Sequence, residues 1–423
     1  MSEDAPILVY VSIDGQDALA GTMYGSRRHK TESASFAYYP EYLRRPDAYA
    51  LDPAMPLSQG AFHTAANQKL FGAFRDCSPD RWGRTLVGRA ERDSAKNEHR
   101  APRSLGELDY LLGVRDDLRQ GALRFRHSPQ GPFLGADPSG VPELADLGAI
   151  LDLAGTAEDD ATGLEELRRL VRAGSSLGGA RPKAHVRDID GRVAIAKFPS
   201  KNNDTWNVMA WEKVALDLAR AAGIDVPDSR LEKVLGRHVL IVNRFDRRDG
   251  QRVGYTSAMT MLEASDGDER SYLEIAEVIE ERSDRATREL EQLWRRVVFS
   301  ILISNTDDHL RNHGFLHQRS QVWRLSPAFD LNPNPEPGPK YLSNAIDESE
   351  TRADVDVALD TADFYRLDAP TAREVLREVH VAVRTWEQVA RRAGLGARER
   401  ADMRPAFDHQ ASERADQVVS LTT

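Results

Sequence analysis

The sequence predicts an α+β fold in three parts, because β-type runs dominate its first half and helical patterns dominate its second half. A chain of 423 residues is long enough for about two or three domains. Hydrophobic residues make up 40% of the chain and charged residues 29%, which is typical of a globular protein. We predict an N-terminal α+β unit over residues 1–127, a β-rich unit over 128–249 and a helical unit over 250–423.

Composition excludes several classes of protein. The formal net charge of −10 argues against a chain whose whole surface binds nucleic acid. Cys77 is the only cysteine, so an internal disulfide framework is impossible and a reducing compartment is expected. The start of the chain lacks the basic flank and long apolar core of a signal peptide, and no apolar run reaches the length of a membrane span. We therefore expect a cytoplasmic protein without a membrane partner.

The first unit reads as strands followed by a short helix. Ile7–Ile13 is a strand-like run, and the turn signal Asp14-Gly15 predicts that the chain returns as a second strand. Further strands are expected at residues 34–39 and 122–125, with a helix at 106–112 between them. Proline, glycine and serine are enriched over residues 128–140, which indicates a linker or surface loop.

The second unit alternates helices and hairpins. Residues 164–173 read as a helix and residues 174–180 as a glycine-rich turn. Two strands joined at Asp190-Gly191 follow, and then a helix over residues 206–222 with apolar residues at helical spacing. The remaining strands form a hairpin and are expected at residues 231–235 and 238–245.

The third unit is mostly helical. Thr371 and Glu374 have the spacing of a capping box, which places a helix start at Thr371. One β-like interruption pairs residues 315–316 with 322–325. The main helices are expected at residues 272–279, 287–304, 371–393 and 397–419.

A polar cluster that follows a long apolar helix points to phosphoryl transfer. Asp307 and Asn312 have four residues between them, and Asp330 follows after a short hairpin. In protein kinases a catalytic Asp precedes a magnesium-binding Asn at this spacing, and a second metal-binding Asp lies further along the chain. Asp308 beside Asp307 offers a second candidate base, but the spacing to Asn312 favours Asp307.

Upstream residues supply the other parts in the expected order. The glycine-rich turn that contains Gly178 and Gly179 precedes an apolar strand that carries Lys197. The chain has only nine lysines, so a lysine in such a strand is conspicuous. Glu212, on the following helix, is positioned to pair with it. Each part alone has a structural explanation, but their order favours a kinase.

These residues carry a resemblance to the HipA-type serine/threonine kinase toxins. The Thr-Asp-x-His-x-x-Asn and Arg-Phe-Asp-Arg signatures are the most specific parts, and the resemblance covers nearly the whole chain. The matching segments lie at residues 76–83, 176–183, 195–199, 242–247, 305–312 and 327–330.

The resemblance implies a bilobal, protein-kinase-like fold with a β-rich lobe, a helical lobe and an N-terminal accessory subdomain. It implies ATP and Mg²⁺ as cofactors, with Asp307 as base, Lys197 on the phosphates, and Asn312 and Asp330 as metal ligands. His309 would brace the catalytic loop. The residues expected around ATP are Ser176, Gly178, Gly179, Lys197, Val242, Asn243, Phe245, Asp246 and Phe329.

Ser176 matches the inhibitory autophosphorylation site of that family, although Ser175 leaves the register open. A phosphate there adds about two negative charges beside the site for the ATP phosphates, which would disturb the loop. The resemblance also implies a small HipB-like helix-turn-helix antitoxin, with DNA contacted only through that partner. The substrate would be a protein of the translation machinery, such as an aminoacyl-tRNA synthetase.

Three other functions stay open from the sequence. A small-molecule phosphotransferase would use the same catalytic parts. A metal-dependent phosphohydrolase or nuclease would use Asp307, Asp308, His309 and Asp330 as ligands, leaving Lys197 without a role. A non-enzymatic binding module would leave the whole set unused.

Overall fold

The computed structural model describes residues 5–28, 31–79, 81–136, 141–158, 181–200 and 204–420. Within these ranges helices and antiparallel strands are mixed, as the α+β prediction requires. The expected helix at 164–173 and the whole glycine-rich turn at 174–180 lie outside the described residues.

The N-terminal unit is built on a five-stranded antiparallel sheet of order β4-β3-β2-β1-β5. Every residue of β1 is buried, so this interior strand is covered on both faces. Asp14 and Gly15 have φ values of 47° and 79°, which is the left-handed pair that a tight two-residue hairpin requires. The strands are β1 (Ile7–Ile13), β2 (Gln16–Arg28), β3 (Thr31–Tyr38), β4 (Ala61–His63) and β5 (Leu123–Arg126).

The longest helix of this unit was missed by the sequence analysis. Its two glycines and many charged residues lower its helix propensity and hide its apolar face. That face buries Trp82 and Leu86 against the next sheet of the chain. The helices of this unit are α1 (Pro40–Leu43), α2 (Gly72–Asp76), α3 (Arg81–Asn97) and α4 (Glu107–Gly113).

The strand lobe, as we call the next sheet with its flanking helix α5 (Leu147–Glu158), has four antiparallel strands of order β6-β7-β9-β8. Its inner face packs on α5 and on α3. Helix α6 (Val208–Ala221) connects β7 to β8, and the side chain of Asn207 caps its N-terminus. The strands are β6 (Lys183–Arg187), β7 (Val193–Lys197), β8 (Ser229–Val234) and β9 (Arg237–Asn243).

The helical lobe, as we call residues 250–420, surrounds the buried helix α9 (Ala286–Leu302). Short strands at its edge form the sheet β12-β13-β14, and β11 pairs with β10. These strands are β10 (Arg247–Arg248), β11 (Gln251–Arg252), β12 (Tyr255–Ser257), β13 (Gly314–Arg319) and β14 (Val322–Leu325). The other helices are α7 (Ala258–Met261), α8 (Tyr272–Arg282), α10 (Val355–Asp360), α11 (Ala369–Val383), α12 (Trp386–Arg392), α13 (Ala397–Met403) and α14 (Gln410–Ser420).

Two helix predictions in the helical lobe were wrong in detail. The helix expected over residues 371–393 breaks at Arg384 and Thr385, and its cap is Asp368, whose side chain accepts the Thr371 N–H. The helix expected over residues 397–419 is interrupted near Pro405, which cannot donate a backbone hydrogen bond.

One hydrophobic cluster runs from β1 through α6 and α9 to α14, so the N-terminal unit and the helical lobe share a core. The inner face of the strand lobe forms a second cluster with Trp82 and Leu86. Among the described residues, no helix combines the length and the apolar character needed to cross a membrane.

Candidate active site

The alternation of side chains along β7 places Lys197 on the outer face of the strand lobe. Ala194 and Ala196 point into the core with α3 and α5, so Ile195 and Lys197 lie on the opposite face. A lysine at the end of this apolar strand is therefore aimed away from the core of the strand lobe.

Lys197 lies between two carboxylates that come from different parts of the chain. Its Nζ donates to Glu212 Oε1 on α6 at 2.5 Å, and it also donates to Asp330 Oδ1. Burial disfavours the ammonium, but the charges of Asp330 and Glu212 outweigh it, so the pKa of Lys197 is raised. The lysine stays charged and ties β7, α6 and the segment after β14 together.

The two carboxylates respond differently to this shared lysine. Burial raises the pKa of Glu212, and Lys197 offsets only part of that effect. Burial acts in the same sense on Asp330, but Lys197 and Lys183 overcome it and hold the pKa of Asp330 below its usual range. Asp330 also adopts a φ of 55°, a conformation that non-glycine residues rarely take and that often marks functional positions.

The geometry separates Asp307 from Asp308. Asp307 is exposed, whereas Asp308 is buried. Tyr272 Oη and Ser300 Oγ donate to Asp308 Oδ2 at 2.7 and 3.1 Å, and His313 Nε2 lies 3.1 Å from Asp308 Oδ1. The carboxylate of Asp308 is therefore engaged in internal hydrogen bonds, whereas the carboxylate of Asp307 is accessible to a substrate.

Asn312 is held beside Asp307. Its Nδ2 donates to the backbone carbonyl of Asp307 at 2.9 Å, which fixes the orientation of the amide. Among the described residues, nothing donates a hydrogen bond to Asn312 Oδ1 or to Asp330 Oδ2. These two oxygens fit the hard oxygen ligands that Mg²⁺ prefers.

The loop that contains Asp307 is cross-linked to the segment that follows Asp330. The Asn332 N–H donates to Asn305 Oδ1 at 3.0 Å, and Asn334 Nδ2 donates to Thr306 Oγ1 at 3.0 Å. Asn344 Nδ2 donates to the carbonyl of Asp308 at 2.6 Å. Together with the bond from Asn312 to the Asp307 carbonyl, these bonds connect the loop of Asp307 and Asn312 to the segment that follows Asp330.

Two aromatic residues expected near adenine come together at the end of β9. The rings of Phe245 and Phe329 are 5.5 Å apart between centroids, and both residues are half-buried. Val242 and Asn243, at the end of β9, pair with Ile195 and Ala194 of β7. The expected hinge residues therefore adjoin the strand that carries Lys197.

Both carboxylate oxygens of Asp246 accept hydrogen bonds from other residues of the chain. It accepts hydrogen bonds from Arg244 and Arg247, and the Gly121 N–H donates to its Oδ2 at 2.8 Å. Burial alone would raise the pKa of Asp246, but the two arginines hold it well below its usual range. Asp246 thus joins the end of β9 to the N-terminal unit, and its expected contact with ribose stays a prediction.

One candidate was not assigned from the sequence. Lys183 is the cross-strand partner of Lys197, is buried, and acts electrostatically on Asp330 and Glu212. The available signal was a lysine at the start of the predicted strand over residues 183–187, directly before the strand of Lys197. His309 contributes its backbone, because the Asn312 N–H donates to its carbonyl at 2.8 Å.

Ser176, Gly178 and Gly179 lie outside the described residues, so their placement around a nucleotide stays a prediction. Among the described residues, no cluster of three or more His, Cys, Asp or Glu side chains is arranged to hold a metal ion. A metal here would rely on Asn312 and Asp330, together with the oxygens of its substrate.

A bilobal arrangement with a strand lysine, a helix glutamate and two polar loops defines a kinase-like fold. Over residues 175–387 the chain matches the family model described as the HipA-like C-terminal domain, and over residues 16–106 it matches the HipA N-terminal domain. The chain therefore belongs to the HipA family.

Solved and curated proteins resemble this chain in fold or in part of the sequence. The HipA chain in a complex with HipB and operator DNA from Shewanella oneidensis MR-1 shares the fold, with a TM-score of 0.68, 17% identity and coverage of 98% of this chain and 99% of that one. A putative kinase from Haemophilus influenzae is 25% identical over 30% of this chain and 42% of its own length. The putative kinase Y4mE from Sinorhizobium fredii is 26% identical over 70% of this chain and 71% of its own.

Proposed function

We propose that this chain is an ATP- and Mg²⁺-dependent serine/threonine protein kinase. The observation that carries the proposal is Lys197, held between Glu212 and Asp330, with the exposed Asp307 on the adjoining loop. This is the set of groups that phosphoryl transfer requires in kinases.

The contacts of each residue support a proposed role. Glu212 orients Lys197, whose ammonium binds the phosphates of ATP. Asp307 accepts the proton of the attacking hydroxyl, and Phe245 and Phe329 flank the adenine. Asn312 and Asp330 would hold Mg²⁺, which when bound offsets the negative charge of the phosphates.

We further propose that the chain acts as a toxin restrained by a small helix-turn-helix antitoxin. The HipA chain of the Shewanella complex, which shares this fold, was solved with HipB and its operator DNA. With a net charge of −10, this chain is expected to reach DNA only through that partner. A cytoplasmic protein of the translation machinery, such as an aminoacyl-tRNA synthetase, is the proposed substrate, and Ser176 the site of autophosphorylation.

Incubation of the protein with γ-labelled ATP, Mg²⁺ and a bacterial lysate tests the activity. We expect label in protein, both on the chain itself and on one lysate protein. Label only in small metabolites would favour a small-molecule phosphotransferase, and no label anywhere would contradict the kinase proposal. Ser176→Ala and Ser175→Ala variants identify the modified serine by loss of self-labelling.

A further inference from the structure

The segment around residues 76–83 matches the family but takes no part in the proposed chemistry. Asp76 is the last residue of α2 and Trp82 is the second residue of α3, six positions apart in the sequence. Trp82 is buried and Asp76 is half-buried, and the two side chains contact different parts of the molecule. We call Asp76 and Trp82 the lobe anchors.

Asp76 binds the helical lobe next to the catalytic loop. The N–H and Oγ–H of Ser257 donate to its two carboxylate oxygens at 2.7 and 2.8 Å. Ser257 in turn pairs with Gly314, and the Ala258 N–H donates to the carbonyl of His313 at 2.7 Å. His313 directly follows Asn312, a proposed metal ligand. Asp76 is therefore connected to Asn312 through its hydrogen bonds to Ser257 and the hydrogen bond between Ala258 and His313.

The packing around Asp76 leaves little room for movement. A Cβ added to Gly72 on α2 would lie 2.6 Å from the Thr260 side chain of α7, which is closer than atoms can approach. Thr260 is itself buried and branched at Cβ, so it cannot swing aside. Helix α2 therefore packs directly against α7 of the helical lobe.

Trp82 binds the strand lobe next to the proposed phosphate-binding lysine. Its Nε1 donates to the backbone carbonyl of Lys183 at 3.1 Å. Lys183 is the cross-strand partner of Lys197, and the indole packs in the same core as Ala184 and Ala196. Asp76 and Trp82 therefore connect two sheets. One is the sheet β6-β7-β9-β8, which carries Lys197, and the other is the sheet β12-β13-β14, in which β13 follows the catalytic loop.

We propose that Asp76 and Trp82 are positioning residues that fix the strand lobe, with Lys197, relative to the helical lobe, with Asp307 and Asn312. Phosphoryl transfer depends on this alignment, and a displacement of about 1 Å can lower the rate by roughly a hundredfold. The inference rests on the proposed kinase activity, but the placement of the lobes can be measured without it.

Kinetics of Asp76→Asn provide the first test. We expect kcat to fall by roughly tenfold or more, because the lobes lose alignment. The dissociation constant of a fluorescent ATP analogue should change by less than about threefold, because the proposed phosphate and adenine contacts lie on Lys197 and the end of β9. Trp82→Phe keeps an aromatic ring but removes the Nε1–H donor, and should lower kcat by a smaller factor.

Asp52→Asn is the matched control. Asp52 is a buried carboxylate of the N-terminal unit, and it accepts the N–H groups of Ala54 and Ala73 within that unit. It should leave kcat per folded molecule within about twofold, since among the described residues its carboxylate accepts no hydrogen bond from either lobe and the contact of Asp76 with Ser257 is kept.

Distances between spin labels provide the second test. Labels at Ile189→Cys and Phe364→Cys use side chains that are 91% and 62% exposed, on the strand lobe and the helical lobe, while the native Cys77 is buried. We expect one narrow distance distribution in the otherwise native chain and a broader or shifted one with Asp76→Asn or Trp82→Phe.

An unchanged kcat in both anchor variants, or a lower kcat with an unchanged distance distribution, would overturn the inference. A wild-type chain that transfers no phosphate would instead contradict the proposed function. The distance distributions would still decide the role of the anchors in that case.

Discussion

Two neighbouring aspartates show how strongly the surroundings of a residue decide its role. Asp307 is exposed beside Asn312, whereas Asp308 accepts hydrogen bonds from Tyr272 and Ser300 inside the helical lobe. The same side chain thus serves the proposed chemistry at one position and stability at the next.

Asp308→Asn should lower the free energy of unfolding by about 3 kcal/mol, because it breaks a buried, hydrogen-bonded charge network. Asp307→Asn, the matched variant, should change that free energy by less than about 0.5 kcal/mol, because the side chain is exposed. Urea denaturation followed by tryptophan fluorescence measures both. Equal losses in the two variants would contradict the assignment.

Asp52 should make stability depend on pH. Burial raises its pKa from 3.8 to about 6, although the N–H groups of Ala73 and Ala54 oppose the shift. Because the folded-state pKa lies above the unfolded one, the stabilisation is full below pH ~4 and is lost as pH rises through ~6. At about 1.36 kcal/mol per pKa unit, the change is roughly 3 kcal/mol.

The difference between the unfolding free energies of wild type and Asp52→Asn, measured from pH 4 to pH 7, isolates this group from other carboxylates. The difference should fall as pH rises. A difference independent of pH would show that Asp52 titrates normally.

At the scale of elements, α6 is fixed by helices from the end of the chain. Trp211, one residue before Glu212, lies with its ring 6.2 Å from that of Trp386 and 6.0 Å from that of Phe407. The rings of Trp386 and Phe407 are themselves stacked at 4.7 Å. The position of Glu212 therefore depends on α12 and on the residues after α13.

Trp386→Leu should lower both stability and phosphate transfer per folded molecule, because α6 loses the packing that positions Glu212 against Lys197. We expect a loss of about 2–3 kcal/mol in unfolding free energy. Calorimetry and initial rates, corrected for the folded fraction, measure the two effects. A destabilised variant with wild-type rates would mean that α6 holds its position without Trp386.

Elements with strong local signals were predicted well from the sequence, and elements defined by tertiary contacts were not. The strand that ends in Lys197 and the helix before Asp307 have clear periodicity and were confirmed. Helix α3 was missed because only packing on the strand lobe reveals its apolar side. The structural contacts of Asp246 depend on Gly121, far away in the sequence, and no local pattern encodes them.

At the scale of the whole molecule, the three predicted units are not separate cores. The N-terminal sheet shares one hydrophobic cluster with α6 and the helical lobe, and α3 completes the core of the strand lobe. Residues on both sides of the predicted boundary at residue 127 therefore pack in the same hydrophobic clusters.

Thermal unfolding should therefore be a single cooperative transition. We expect the calorimetric and van't Hoff enthalpies to agree, because the N-terminal unit contributes residues to both hydrophobic clusters and so couples their unfolding. A chain that starts at residue 128 should bind a hydrophobic dye and melt at a lower temperature than the full chain. Two or more resolved transitions in the full chain would show that the units are independent.

The proposed kinase activity is tested most directly by phosphate transfer from labelled ATP, measured for wild type and for Asp307→Asn after each is shown to be folded and to bind the nucleotide analogue. We predict that wild type labels protein and that Asp307→Asn loses at least about a hundredfold in rate, the contribution typical of a general base. A wild-type rate in Asp307→Asn would contradict the role of Asp307 as the catalytic base.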